Sequence, residues 1–190
     1  MKINRTVPNI SNISNNKNPS NREAYFLFIF FLTVLILVYI IPEKMLIKIV
    51  FFKYYIDLMA FIFPSVSAFE KYSSFPQTAE FIYSTCIITL PLQAFILHQI
   101  SKELWISNMK KKTQDELRIS LCIFIIIFIL LFAYVLLLLP LTSFRVPKFS
   151  FRFYHTSKIA FSLVTAIIFF ANSFLISMIA IICEQLKKLK

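Results

Sequence analysis

Four stretches of this chain run for eighteen to twenty-five residues without a single Asp, Glu, Lys or Arg: residues 24–41, 81–100, 119–141 and 159–183. At about 1.5 Å of rise per residue, helices of that length cross most or all of a roughly 30 Å hydrocarbon core. With 58% hydrophobic residues and a mean hydropathy of +0.76, the chain has too little polar surface to keep such helices in water. The expectation is an all-α fold, an integral membrane four-helix bundle spanning residues 24–183.

The segments between the spans are read by charge. Residues 1–23 carry seven asparagines together with Lys2, Arg5, Lys17 and Arg22, too polar to offset the entropy of ordering, and are expected to form a disordered cytoplasmic tail. The apolar run begins late, at Ala24, and no small-x-small site precedes Pro42, which argues against a cleaved signal peptide. In the first loop, 42–80, the apolar stretch Met45 to Phe63 carries Lys48, Lys53 and Asp57. Each charge at a bilayer centre costs about 2.5–3.5 kcal/mol, so an interfacial helix is the cheaper solution; a fifth, charge-bearing span stays open. Residues 184–190 end the chain as a basic tail with Lys187, Lys188 and Lys190. If both termini share a side with the second loop, that side holds twelve Lys and Arg against eight opposite, which favours an N-in, C-in orientation in the inner (cytoplasmic) membrane of a bacterium.

Composition also excludes. The chain has no glycine, so it has none of the phosphate-cradling loops that need close backbone approach. Cys86, Cys122 and Cys183 lie in separate apolar runs, and His98 and His155 sit at span ends without a second ligand at metal-binding spacing. No metal, cofactor or catalytic activity is expected. The net charge of +11 is spread over every polar segment, which suits lipid headgroups better than direct nucleic-acid binding. In the third loop, residues 144–154 interleave Arg145, Lys148 and Arg152 with five aromatics, a pattern that places rings at headgroup level and cations on phosphates.

Polar groups inside the spans are few and patterned. Thr85, Thr89 and Gln93 recur at four-residue spacing, so they share one face of the second span, beside Pro91, which frees the carbonyl of Ile87. The fourth span carries Ser162, Ala166, Ser173, Ser177 and Ala180 along a face, with Asn172 beside it. Small residues let backbones approach and Asn can bond across helices. Two readings follow: these faces pack the second span on the fourth, or they recognise a membrane-inserted partner. A homo-oligomer is compatible with either.

The string Ala60-Phe61-Ile62-Phe63-Pro64-Ser65-Val66-Ser67-Ala68 between the first two spans, and Leu141-Thr142-Ser143 after the third, resemble segments of the immunity proteins of A-type pore-forming colicins. The layout is similar as well: a polar N-terminal tail, four spans, a long first loop and a short basic end. The resemblance implies an inner-membrane protein that meets the hydrophobic helical hairpin of an inserting toxin and stops its channel from opening. Specificity requires groups whose satisfaction differs between partners, which points to Pro64, Ser65, Ser67, Thr85, Thr89 and Gln93 as partner-binding and to Asn172, Ser173 and Ser177 as helix-packing residues. The alternative resemblance is to the four-span membrane subunit of the Kiwa anti-phage system; it implies a cytosolic effector docking on residues 110–116 and the C-terminal lysines.

Overall fold

The computed structural model describes residues 20–110, 112–138 and 152–189, which form helices with no strand among them. They are α1 (Ser20–Ile40), α2 (Glu43–Lys48), α3 (Val50–Ile62), α4 (Pro64–Tyr72), α5 (Pro76–Met109), α6 (Gln114–Ala133) ending in a π-helical turn (Tyr134–Leu138), α7 (Arg152–Thr156) and α8 (Lys158–Lys188). Four of them, α1, α5, α6 with part of its π-turn, and α8, are long and apolar enough to cross a membrane, and the protein is an all-α membrane-spanning bundle. The expected N-terminal tail lies outside the described residues up to position 19, as does most of the basic-aromatic third loop.

Each helix begins and ends where local chemistry dictates. Thr113 starts α6 with a reciprocal cap: its hydroxyl accepts from the Glu116 amide at 3.4 Å, and the Glu116 carboxylate accepts from the Thr113 amide at 2.8 Å. Ser157 caps α8 by accepting from the Ala160 amide at 3.3 Å. Proline fills the first turn of both α4 and α5, where its missing N–H costs nothing. With 34 and 31 residues, α5 and α8 measure roughly 51 and 46 Å, so their ends project beyond a roughly 30 Å core. Expected span boundaries are therefore shorter than the helices: α5 begins at Pro76 rather than Phe81, and α8 runs through Glu184 to Lys188.

The bundle is organised around α8, which packs on α5 most extensively and on α1 and α6 about equally. In their most apolar stretches, half the residues of α5 and of α8 are buried, against 11% in α1 and 6% in α6. The two outer spans thus present Ile29, Ile36, Ile123, Ile126 and Leu130 to lipid. Ends are matched by polar contacts. Trp105 Nε1 donates to Glu23 at 3.0 Å, and Lys102 meets Glu184 at 2.8 Å, which puts the start of α1, the end of α5 and the end of α8 at one end of the bundle. At the opposite end Thr78 reaches the carbonyl of Ile41 at 3.4 Å and Ser74 the carbonyl of His155 at 3.1 Å. The start of α1 and the end of α8 therefore lie at the same end of the bundle.

The first loop folds as three short helices. It breaks at Ile49 and again at Phe63, where proline at position 64 forces the preceding residue out of the helical region (φ −120°, ψ 103°) and the axis turns by 115° between α3 and α4. The thirteen residues of α3 span roughly 20 Å, too short to cross alone, whereas α3 and α4 together are apolar enough for a broken span or a re-entrant loop; Lys53 and Asp57 are exposed. α3 lies against α5, with Phe52 and Tyr55 edge-on to Phe81 at 5.3 and 5.8 Å. α4 turns inward, and its Phe69 is fully buried among Tyr83, Tyr154 and Phe161 at 5.1, 5.9 and 5.7 Å between ring centroids.

Candidate functional site

The nine residues singled out from sequence separate into an inner and an outer set. Gln93 is buried: its amide nitrogen donates to the Thr89 hydroxyl at 2.9 Å and toward the Cys86 carbonyl at 3.5 Å, while its oxygen accepts from Ser173 of α8 at 3.4 Å. Thr85 and Thr89 return their hydroxyls to carbonyls one turn back, at 2.7 Å each. Thr85 and Thr89 are thus bonded within α5, and Gln93 with Ser173 links α5 to α8. In this arrangement α8 covers the Gln93 side chain, and within α4 Ser65 is fully buried whereas Pro64 and Ser67 are exposed.

Asn172 bonds within its own helix. It is fully buried, but its amide donates to the Ile168 carbonyl of its own helix at 3.0 Å, and its oxygen has no partner among the described residues. Ser173 likewise donates to Phe169 at 2.8 Å. Ser162, Asn172 and Ser173 thus bond back to their own helix, as polar side chains commonly do in helices, and Ser173 in addition lies 3.4 Å from Gln93 of α5.

Around the outer set lies an aromatic surface that sequence spacing does not single out. Phe51, Tyr54 and Phe61 project from α3 at 72%, 69% and 87% exposure, and Ile62 flanks the bend at Phe63. Below the bend, Ile62, Phe63 and Pro64 face Phe128, Phe132 and Leu136 of α6 across an apolar cleft of about 360 Å³. The bent pair is held from beneath by the Phe69 socket and by Tyr83, whose hydroxyl donates to the Val135 carbonyl of the π-turn at 2.7 Å. A π-turn breaks the regular α-helical ladder, so a phenol reaching one of its carbonyls is a physical reason for that turn to persist.

Comparison with models of known protein families, with curated proteins and with solved structures finds no match to this chain.

Two electrostatic features flank these elements. On the α3–α4 end, Lys158 sits 5.2 Å from the Tyr39 ring centroid and 6.0 Å from that of Phe75, and burial raises the Glu43 carboxyl above its ordinary value, opposed by the Thr78 amide and by Lys158. On the other end, His98 Nε2 lies 3.2 Å from Glu184 and Lys102 closes the cluster. His98 and Glu184 stand just outside or at the edge of the apolar runs, and nothing in sequence pairs residues so far apart. Among the described residues, no three His, Cys, Asp or Glu side chains are grouped to hold a metal ion.

Proposed function

We propose that this chain protects a bacterium from a pore-forming bacteriocin by recognising the toxin's inserted helices within the inner membrane, with both termini in the cytoplasm and no catalytic chemistry. The observation that carries the reading is the bent pair α3–α4. It holds the string that resembles colicin immunity proteins, is anchored inward by Phe69, and turns Phe51, Tyr54 and Phe61 outward. Large rigid rings give contact area at low entropic cost, and with Pro64 and Ser67 at the bend they form the best-defined protruding surface of the bundle. The uncharged runs 24–41, 81–100, 119–141 and 159–183 also lack the carboxylates and bases on which ion-coupled transport usually depends, although the buried Glu80 of α5 stands just before the second run.

A second reading, a membrane subunit of an anti-phage system that anchors a cytosolic effector, is favoured by one observation. Exposed Lys110, Lys112, Arg118, Lys187 and Lys188 gather at the end of the bundle opposite α3–α4, a basic rim suited to an acidic partner. One experiment separates the two. Cells expressing the chain alone are challenged with pore-forming toxins and, separately, with nuclease toxins; protection against one pore-former and no nuclease is expected. Phe61→Ala with Tyr54→Ala should lower that protection at least tenfold at unchanged protein level in the membrane. If no pore-former is resisted but phage is restricted when a soluble partner is co-expressed, the effector-anchor reading replaces the first.

A further inference from the structure

A groove of about 710 Å³ opens toward the bilayer between α5, α6 and α8. Its long wall is one face of α5, where Pro91, Phe95, His98 and Lys102 follow at three- and four-residue spacing, so the groove extends along the helix for roughly 16 Å. Ile176, Ala180 and Glu184 of α8 form the facing wall at the same spacing, and Phe128 of α6 closes the side. The two ends differ in kind. Toward Pro91 the lining is apolar apart from Ser177, whereas at the other end Lys102 Nζ lies 2.8 Å from Glu184 Oε2 and His98 Nε2 lies 3.2 Å from Oε1. That polar end is level with the Trp105–Glu23 contact, at the height where tryptophan and long cationic side chains meet headgroups.

Ser177 lines the groove, is 1% exposed, and its hydroxyl has no partner among the described residues. The Nδ1 atom of His98 is likewise buried without a partner among the described residues; both atoms are sealed from the groove, so the groove's own chemistry is that of its exposed lining. A transmembrane helix of a partner would fill the apolar end but would bring little to the polar one.

We propose that this groove is a binding site for one phospholipid with a zwitterionic ethanolamine headgroup, an acyl chain lying along Phe95 and Phe128 toward Pro91. The cluster at the mouth holds both signs of charge side by side: Glu184 accepts from the ammonium, and Lys102, half-exposed, donates to the phosphate with Gln99 next to it. A headgroup carrying a cation and an anion one short linker apart matches that pairing, whereas a purely anionic headgroup would face the Glu184 carboxylate. Nothing in this site draws on α3–α4, so it is independent of the toxin-recognition reading.

The test uses the full chain purified in mild detergent and then incubated with vesicles of phosphatidylethanolamine, of phosphatidylglycerol, or of both, with retained lipid counted by native mass spectrometry after delipidating washes. One phosphatidylethanolamine per chain is expected, retained at least fivefold over phosphatidylglycerol. Ser177→Phe and Ala180→Leu, which obstruct the groove without touching its charges, should each lower retention at least fivefold, and Glu184→Gln should abolish the preference between headgroups. Thermal melting and gel filtration identify any variant that fails to fold; with two obstructing variants of different size, one folded variant suffices to read the result. No retained lipid, equal retention of both lipids, or full retention by a folded obstructed variant overturns the proposal.

Discussion

Tyr83 ties three parts of the molecule together, and replacing it with phenylalanine isolates one bond. The ring is fully buried and stacks edge-on with Phe69 of α4 at 5.1 Å and Phe169 of α8 at 5.3 Å, contacts that Tyr83→Phe keeps. What it removes is the 2.7 Å hydrogen bond to the Val135 carbonyl. Hydrogen bonds between membrane helices average about 0.6 kcal/mol and reach about 1.7. The abandoned carbonyl lies at a buried position in a π-turn, and an orphaned acceptor costs about 1–3 kcal/mol in protein interiors, reduced where a backbone can relax. These are two measures of the same lost bond and not separate costs, so the expected loss is about 1–3 kcal/mol, below the roughly 3–5 kcal/mol of deleting a large aromatic side chain. Reversible unfolding in mixed micelles, with Tyr83→Ala as the upper reference, measures it. A loss under about 0.3 kcal/mol would show that this phenol is not what holds the π-turn, and a loss equal to that of Tyr83→Ala would show that the ring had left its socket; either result refutes the reasoning.

Asn172→Leu is expected to leave stability within about 1 kcal/mol of the parent, or to raise it, because the side chain bonds only its own helix and its buried oxygen is unpaired; a loss above about 2 kcal/mol in the same assay would mean an interhelical partner exists. Glu43 has its folded-state acidity weakened by burial, so the stabilisation linked to its protonated form is complete below the ordinary value of 4.5 and fades as pH rises through the higher folded value; Glu43→Gln should flatten that part of a stability-against-pH curve, and an unchanged slope would remove Glu43 as its source. With the native cysteines replaced, single cysteines introduced by Lys2→Cys and Lys188→Cys should react with an impermeant maleimide from the same face of the membrane. Labelling from opposite faces would require the α3–α4 pair to cross.

The spans were legible from sequence because the requirement behind them is local. A helix in hydrocarbon must be uncharged over its own length, and four runs meet that condition without reference to any other part of the chain. The break before Pro64 is local too, since a proline excludes its predecessor from the helical region whatever surrounds it. Caps at Thr113 and Ser157 belong to the same class.

What only the tertiary structure decided is which face of each helix meets which neighbour. Thr85, Thr89 and Gln93 lie on one face by periodicity alone, but periodicity is silent on what that face meets; the structure brings Ser173 of α8 to 3.4 Å from Gln93. The angle of 115° and the inward course of α4 follow from the socket that receives Phe69, built by Tyr83, Tyr154 and Phe161 from two other helices and α7. The cluster of His98, Lys102 and Glu184 joins positions up to 86 residues apart, and the groove beside it exists because α6 leans on α8. In a bilayer the apolar surface of one helix is matched equally well by lipid or by another helix, so hydrophobicity inserts the spans, and close packing with a few polar contacts chooses their partners.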